Sequence, residues 1–105
     1  MKTTATFIVL AVALMFSTSV FATDSGADVF KTKCAMCHGA DGKGETAMGK
    51  RLGIKDLGSA EVQKQSDAEL NTVITKGKGK MPGYEGKLTG DQIQDLVKYI
   101  RTLKK

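Results

Sequence analysis

Three stretches of the chain carry apolar residues at helical spacing, and each opens on a side chain able to cap a helix. Ser25 precedes a run that brings Ala27, Phe30 and Cys34 toward one side, so a first helix is predicted to begin there, its hydroxyl capping the amide near Asp28. Ser66-Asp67-Ala68-Glu69 has the capping-box pattern, and Leu70, Val73 and Ile74 follow at helical spacing until Gly77 ends the helix. Thr89-Gly90-Asp91-Gln92 repeats that pattern ahead of Ile93, Leu96, Val97, Ile100 and Leu103, a stripe that reads as core. Arg101, Lys104 and Lys105 suit the negative end of this last helix dipole. No run alternates apolar and polar residues as a half-buried strand would, so the expected fold class is all-α, with three to five helices.

The intervening and leading segments read differently. From Gly39 to Gly58, glycines at 39, 42, 44, 49, 53 and 58 predict a loop folded over something flat, because glycine permits close backbone approach. Gly26 lies four residues before Phe30 and on the same face, where the cost of a helical glycine would be offset by close approach of another helix. At the start, Lys2 precedes an almost wholly apolar run from Ala5 to Phe16, and small residues close the segment at Val20-Phe21-Ala22. This is the pattern of an export signal cleaved after Ala22, too short before Thr18 for the roughly 20 residues of a bilayer-spanning helix. An uncleaved anchor is the alternative. The expected organisation is therefore a signal over 1–22 and one domain over 23–105.

Composition sharpens that picture. The 83 residues left after cleavage carry a net charge of about +4, which says little of the fold. Their aromatics are only Phe30, Tyr84 and Tyr99, with no tryptophan, and chains this short commonly need a metal, disulfide or other staple.

Cys34-Ala35-Met36-Cys37-His38 offers one, since C-x-x-C-H is the pattern of covalent haem c attachment. In that chemistry each cysteine adds across a haem vinyl group, and the next residue lies beneath the iron. His38 is the single histidine of the chain and thus the candidate proximal ligand. Three other readings use the same residues. A thioredoxin-like pair needs a βαβ setting and a lowered thiol pKa; a structural zinc site needs four ligands, one more than two cysteines and one histidine provide; a plain disulfide leaves His38 without a role. Haem accounts for all three side chains.

A basic strap, Lys76-Gly77-Lys78-Gly79-Lys80, leads into Met81-Pro82. A thioether is a soft ligand without a proton to lose, and His/Met coordination raises the potential of haem iron, which suits electron transfer. Met36 lies inside the attachment turn on the histidine side, and Met48 in the glycine-rich stretch reads as a core filler. Met81, fixed in extended geometry by Pro82, is the preferred axial and metal ligand beside His38.

Taken together, Cys34 to His38, the Gly26 and Phe30 pair, Met81-Pro82 about forty residues on, and Leu96 with Tyr99 in the last helix resemble a class I cytochrome c. The likeness is to the small monohaem bacterial and photosynthetic proteins of the cytochrome c6 type. It implies the cytochrome c fold around one covalent haem c with its iron, first and last helices crossing at a glycine and aromatic pair, and a soluble electron carrier that is not an enzyme. The carrier would work in the periplasm or, if photosynthetic, the thylakoid lumen. Its implied partners are a cytochrome complex, a terminal oxidase or a photosynthetic reaction centre, with no nucleic acid, a monomeric state, and membrane contact only through those partners. An anchored or subunit cytochrome, and a haem enzyme or gas sensor with an open sixth position, are the competing classes. The chain departs from the resemblance in having no proline after the haem motif to orient His38 and no tryptophan near a propionate, where Arg51 or Lys55 could serve instead.

Overall fold

A computed structural model describes residues 25–105, so the expected signal over 1–22 lies outside the described residues. A continuous helical rod opens the described chain: α1 (Gly26–Val29), a π-helical turn (Phe30–Cys34) and α2 (Ala35–His38). Ser25 accepts the Asp28 N–H at its start, as the sequence predicts. Three further helices follow on serine or threonine caps: α3 (Ala47–Leu52) on Thr46, α4 (Ala60–Gln63) on Ser59, and α5 (Asp67–Lys76) on Ser66. The last, α6 (Gly90–Thr102), starts on Thr89, whose hydroxyl accepts the Gln92 N–H at 3.1 Å while the Gln92 side chain accepts the Thr89 N–H at 2.9 Å. The complete capping box thus forms at Thr89, and at Ser66 its first half, acceptance of the Glu69 N–H at 3.1 Å.

Among the described residues the fold is all-α, with two isolated bridges, Lys78 to Met81 and Glu85 to Leu88, in place of any strand. The stretch from 39 to 58 is not the uniform loop its glycines suggest. Thr46 accepts the Gly49 N–H at 2.9 Å, which is enough to start the one-and-a-half-turn α3 inside it.

The core gathers on the faces the apolar spacing marks. Val29 and Phe30 from the rod, Val62 from α4, Leu70 and Ile74 from α5, and Ile93, Leu96, Val97 and Ile100 from α6 are all buried. Phe30 and Leu96, each 1% exposed, lie deepest. Burying such a side chain contributes about 1.5 to 3 kcal/mol. Their meeting depends on Gly26, where a Cβ would stand 2.3 Å from the Asp95 carbonyl oxygen and 3.3 Å from the Leu96 amide. The rod and α6 therefore touch backbone to backbone, the close approach that offsets a glycine's weak helix propensity.

Polar bonds clamp the far end of α6. The Arg101 guanidinium donates to the Gln63 carbonyl at 2.8 Å and to that of Gln65, and pairs with Asp67 at 2.8 Å. Arg101 thus fastens α6 to the α4–α5 connection, a more specific role than facing the helix dipole. Lys105 donates its backbone N–H to the Gly58 carbonyl and pairs through its ammonium with Asp56 at 2.6 Å.

Gly26→Ala should force the two helices apart and cost about 1 to 3 kcal/mol, the scale of overpacking, read as a lower denaturant midpoint. The Asp56 carboxyl is held below its usual 3.8 by the hydrogen bond from Lys105 first, then by the Gly58 N–H. A carboxyl depressed on folding adds stability above its unfolded pKa and loses it as pH falls through the folded one. Thermal stability should therefore decline below about pH 4, and Asp56→Asn should flatten that decline when unfolding is followed against pH.

Candidate functional site

The rod delivers Cys34, Cys37 and His38 within its last turn and a half. Its π-helical turn, in which the Ala35 N–H donates to the Phe30 carbonyl five residues back, widens the helix just where the first cysteine sits. Gly39, at φ 81°, ends it. The loop that follows braces the motif: the Gly44 N–H donates to the His38 carbonyl at 2.7 Å, and the Thr46 hydroxyl donates to the Cys37 carbonyl at 2.8 Å. Gly49 permits this, since a Cβ there would stand 2.3 Å from the Gly44 oxygen and 2.6 Å from the Cys37 oxygen. Gly44, Gly49 and Gly58 therefore close on the chain's own backbone, whereas Leu52 and Ile54 are the residues this stretch contributes to the cavity beside the motif.

That cavity, of about 360 Å³, has Cys34, Cys37 and His38 along one wall and Met81, Pro82 and Tyr84 along another. A second hollow of about 140 Å³ reaches into the core among Phe30, Leu70, Ile74, Leu96 and Ile100. Cys34, His38, Lys78 and Met81 line both, so the two form one slot running from the surface to the core. The sequence-predicted set is thus brought together around a single space: both thiols, the imidazole and the Met81 thioether.

Met81 is carried by a short closed loop. Its N–H donates to the Lys78 carbonyl at 3.0 Å and its carbonyl accepts the Lys78 N–H at 3.1 Å. Met36 is 80% exposed on the attachment turn. Met48 lies in α3 and is 38% exposed, so it is no core filler; Thr46 starts a helix whose buried position is Gly49, leaving Met48 on the outer side. Lys55 pairs with Glu61, and the cations that line the slot are Lys33, Lys78 and Lys80 in place of Arg51 or Lys55.

Electrostatics sort the competing readings of the motif. Burial first, and the neighbouring Cys37 second, push the Cys34 thiol up to about 11. A redox-active C-x-x-C pair needs the opposite shift. Burial also lowers the pKa of His38, which keeps its imidazole neutral with a lone pair to offer. Its Nδ1 is buried without a hydrogen-bond partner among the described residues. The Phe30 ring packs on the imidazole, with centroids 6.2 Å apart and planes at 39°. A ring nitrogen buried without a partner costs about 1 to 3 kcal/mol. Two free thiols, a buried neutral imidazole and a thioether around one slot fit haem c.

Sequence reasoning did not single out Leu52, Ile54 and Lys33, which line the slot. The available signal was weak: Lys33 immediately precedes the motif, and Leu52 and Ile54 are the apolar residues ending the glycine-rich stretch.

The family described as cytochrome C oxidase, cbb3-type, subunit III matches residues 21–100. A cytochrome c6 of Gloeothece citriformis (strain PCC 7424) is 37% identical over 106 residues, covering 95% of this chain and 93% of that one. One from Nostoc sp. (strain PCC 7120 / SAG 25.82 / UTEX 2576) is 34% identical over 105 residues, covering 95% and 92%. Among solved structures, the KustC0563 c-type cytochrome superposes with a TM-score of 0.72 at 33% identity, over 78% of this chain and all of that one. Cytochrome c6C from Synechococcus sp. PCC 7002 does so with a TM-score of 0.59 at 30% identity, over 75% and 93%. With the helical fold and the slot, these place the chain in a class: it belongs to the class I cytochromes c. Within that class it is similar to the small monohaem proteins of the cytochrome c6 type. Membership carries one covalent haem c with its iron, the role of an electron carrier and not an enzyme, redox proteins as partners, and an exported location.

Because the slot separates the attachment rod from the Met81 loop, the haem-free chain should lose most of its helix. Circular dichroism of the haem-free protein checks this; full helix content with cooperative unfolding would show that the nine buried hydrophobic residues among those described suffice alone.

Proposed function

We propose that this chain is a soluble periplasmic or lumenal electron carrier in which Cys34 and Cys37 hold haem c as thioethers, and His38 and Met81 are the two axial ligands of its iron. The single observation behind this reading is that Cys34, His38 and Met81 line both hollows of one slot. Bound haem supplies one-electron exchange between ferrous and ferric iron. The chain's own residues do the rest. His38 enters from the end of a rod whose backbone is tied to the 39–49 loop, and Met81 enters from a loop closed by its own pair of hydrogen bonds. Leu52, Ile54 and the core side chains below them exclude water, so little reorganises when charge changes.

Residues 1–22 act in this reading as a cleaved signal, leaving 23–105 as the carrier domain. Its electron donors and acceptors are a cytochrome complex, a terminal oxidase or a photosynthetic reaction centre, met by a monomer. Lys78 and Lys80 rim the slot, while Lys76 pairs with Glu85 at 2.6 Å, so an acidic partner face would be steered to the first two. A second reading has one observation in its favour: the matched family is described as an oxidase subunit, which fits a domain kept on a membrane complex. Against it, the chain is 37% and 34% identical to two relatives named cytochrome c6, over 93% and 92% of their lengths.

Ligand binding to the reduced protein tests the proposal. Met81→Ala should bind carbon monoxide at neutral pH and have a lower reduction potential, whereas Met48→Ala, altering an outer residue of α3, should change neither. If the unmutated ferrous protein binds carbon monoxide as fast as Met81→Ala, the open-site class of enzyme or sensor takes the carrier's place.

A further inference from the structure

The loop that carries Met81 has, among the described residues, no backbone hydrogen bond to the rod. Its tip, Gly79, has a positive φ of 57° and open space around the position of a Cβ, and the backbone bonds of Met81 stay within the loop. Tyr84 supplies the missing tie. Its backbone N–H donates to the Ile74 carbonyl at 2.9 Å, anchoring it to the end of α5, and its carbonyl accepts the N–H groups of Lys87 and Leu88. From that anchor its side chain runs along the outer edge of the slot, and the hydroxyl donates to the Lys33 carbonyl at 3.0 Å, 51 positions away and next to Cys34. Among the described residues this is the one hydrogen bond that joins the segment from 77 to 84 to the attachment rod.

We propose that Tyr84 is a positioning residue, its hydroxyl latching the Met81 loop to the rod and so holding the thioether in the slot. This rests on the reading of Met81 as axial ligand. The ring packs against the core, so it costs little to place the hydroxyl, and a tyrosine has few rotamers to lose. The bond spans the two walls that ligation must keep at a fixed separation. A phenylalanine would keep the packing and lose only the latch.

The experiment compares the haem-loaded protein with its Tyr84→Phe and Ile93→Val variants, the last a mild loss of core volume in α6 that leaves the latch intact. Amide hydrogen exchange across 78–84 should be about tenfold faster in Tyr84→Phe, the effect of one net hydrogen bond on the open population. The ferrous form should bind carbon monoxide faster by the same factor, and the ferric sulfur-to-iron absorption band should weaken. Ile93→Val should change none of these. Exchange in Tyr84→Phe no faster than in Ile93→Val would overturn the latch. Faster exchange with unaltered carbon monoxide binding and an unaltered band would overturn the positioning of the thioether. Failure of the ligand reading looks different: Met81→Ala would then leave the band and the carbon monoxide rate of the protein as they were.

Discussion

Everything in this fold is set out from the place where Gly26 lies against the backbone of Asp95 and Leu96. Because nothing separates the two main chains there, the rod and α6 cross closely enough for Phe30 to reach Leu96, and both become the most deeply buried side chains. Phe30 then stands between two other rings, Tyr99 at 5.1 Å and His38 at 6.2 Å, centroid to centroid. The crossing thus fixes the direction of the rod, and the direction of the rod fixes where its last turn offers two thiols and an imidazole. A side chain at position 26 would act on the haem site from the opposite end of the helix.

The slot lies between two assemblies. On one side the attachment turn is braced by the 39–49 loop through the Cys37 and His38 carbonyls. On the other, α5 and the segment after it carry Met81, with α6 and the Arg101 clamp holding α5 in place. The nine buried hydrophobic residues among those described fill the space behind the slot and not the slot itself. Such a chain has too few large apolar side chains to close the gap, and a flat apolar cofactor bonded to both walls would serve as the missing layer. An electron carrier gains from walls that are braced separately, because little in them need move when its charge changes.

Much of this was legible along the chain. Capping residues at 25, 66 and 89, with apolar residues at helical spacing after them, gave the three main helices, since local hydrogen bonding and periodicity operate within a few residues. The C-x-x-C-H pattern was equally local. The glycines of the 39–58 stretch suggest a cover over something flat; the stretch does supply Leu52 and Ile54 to the slot, but Gly44, Gly49 and Gly58 admit the chain's own backbone, and the short α3 arises on Thr46 among them. Met48 was assigned to the core from its neighbours alone, and its exposure depends on which face of α3 packs, which no local pattern records.

The sequence by itself determined the elements, the attachment motif and a short list of axial candidates, because each of these is written in residues close together in the chain. The tertiary structure alone decided what meets across long separations: Tyr84 with Lys33, Arg101 with Gln63 and Asp67, Lys105 with Asp56, and Met81 with His38 around one slot. It also decided that Lys33, Lys78 and Lys80 and not Arg51 or Lys55 line that slot, and that the His38 Nδ1 has no carbonyl partner. The physical reason is the same in each case. Caps and periodicity are short-range free energies, whereas ion pairs, buried donors and cavity walls depend on how whole helices cross, and here that crossing was set by the absence of one Cβ at Gly26.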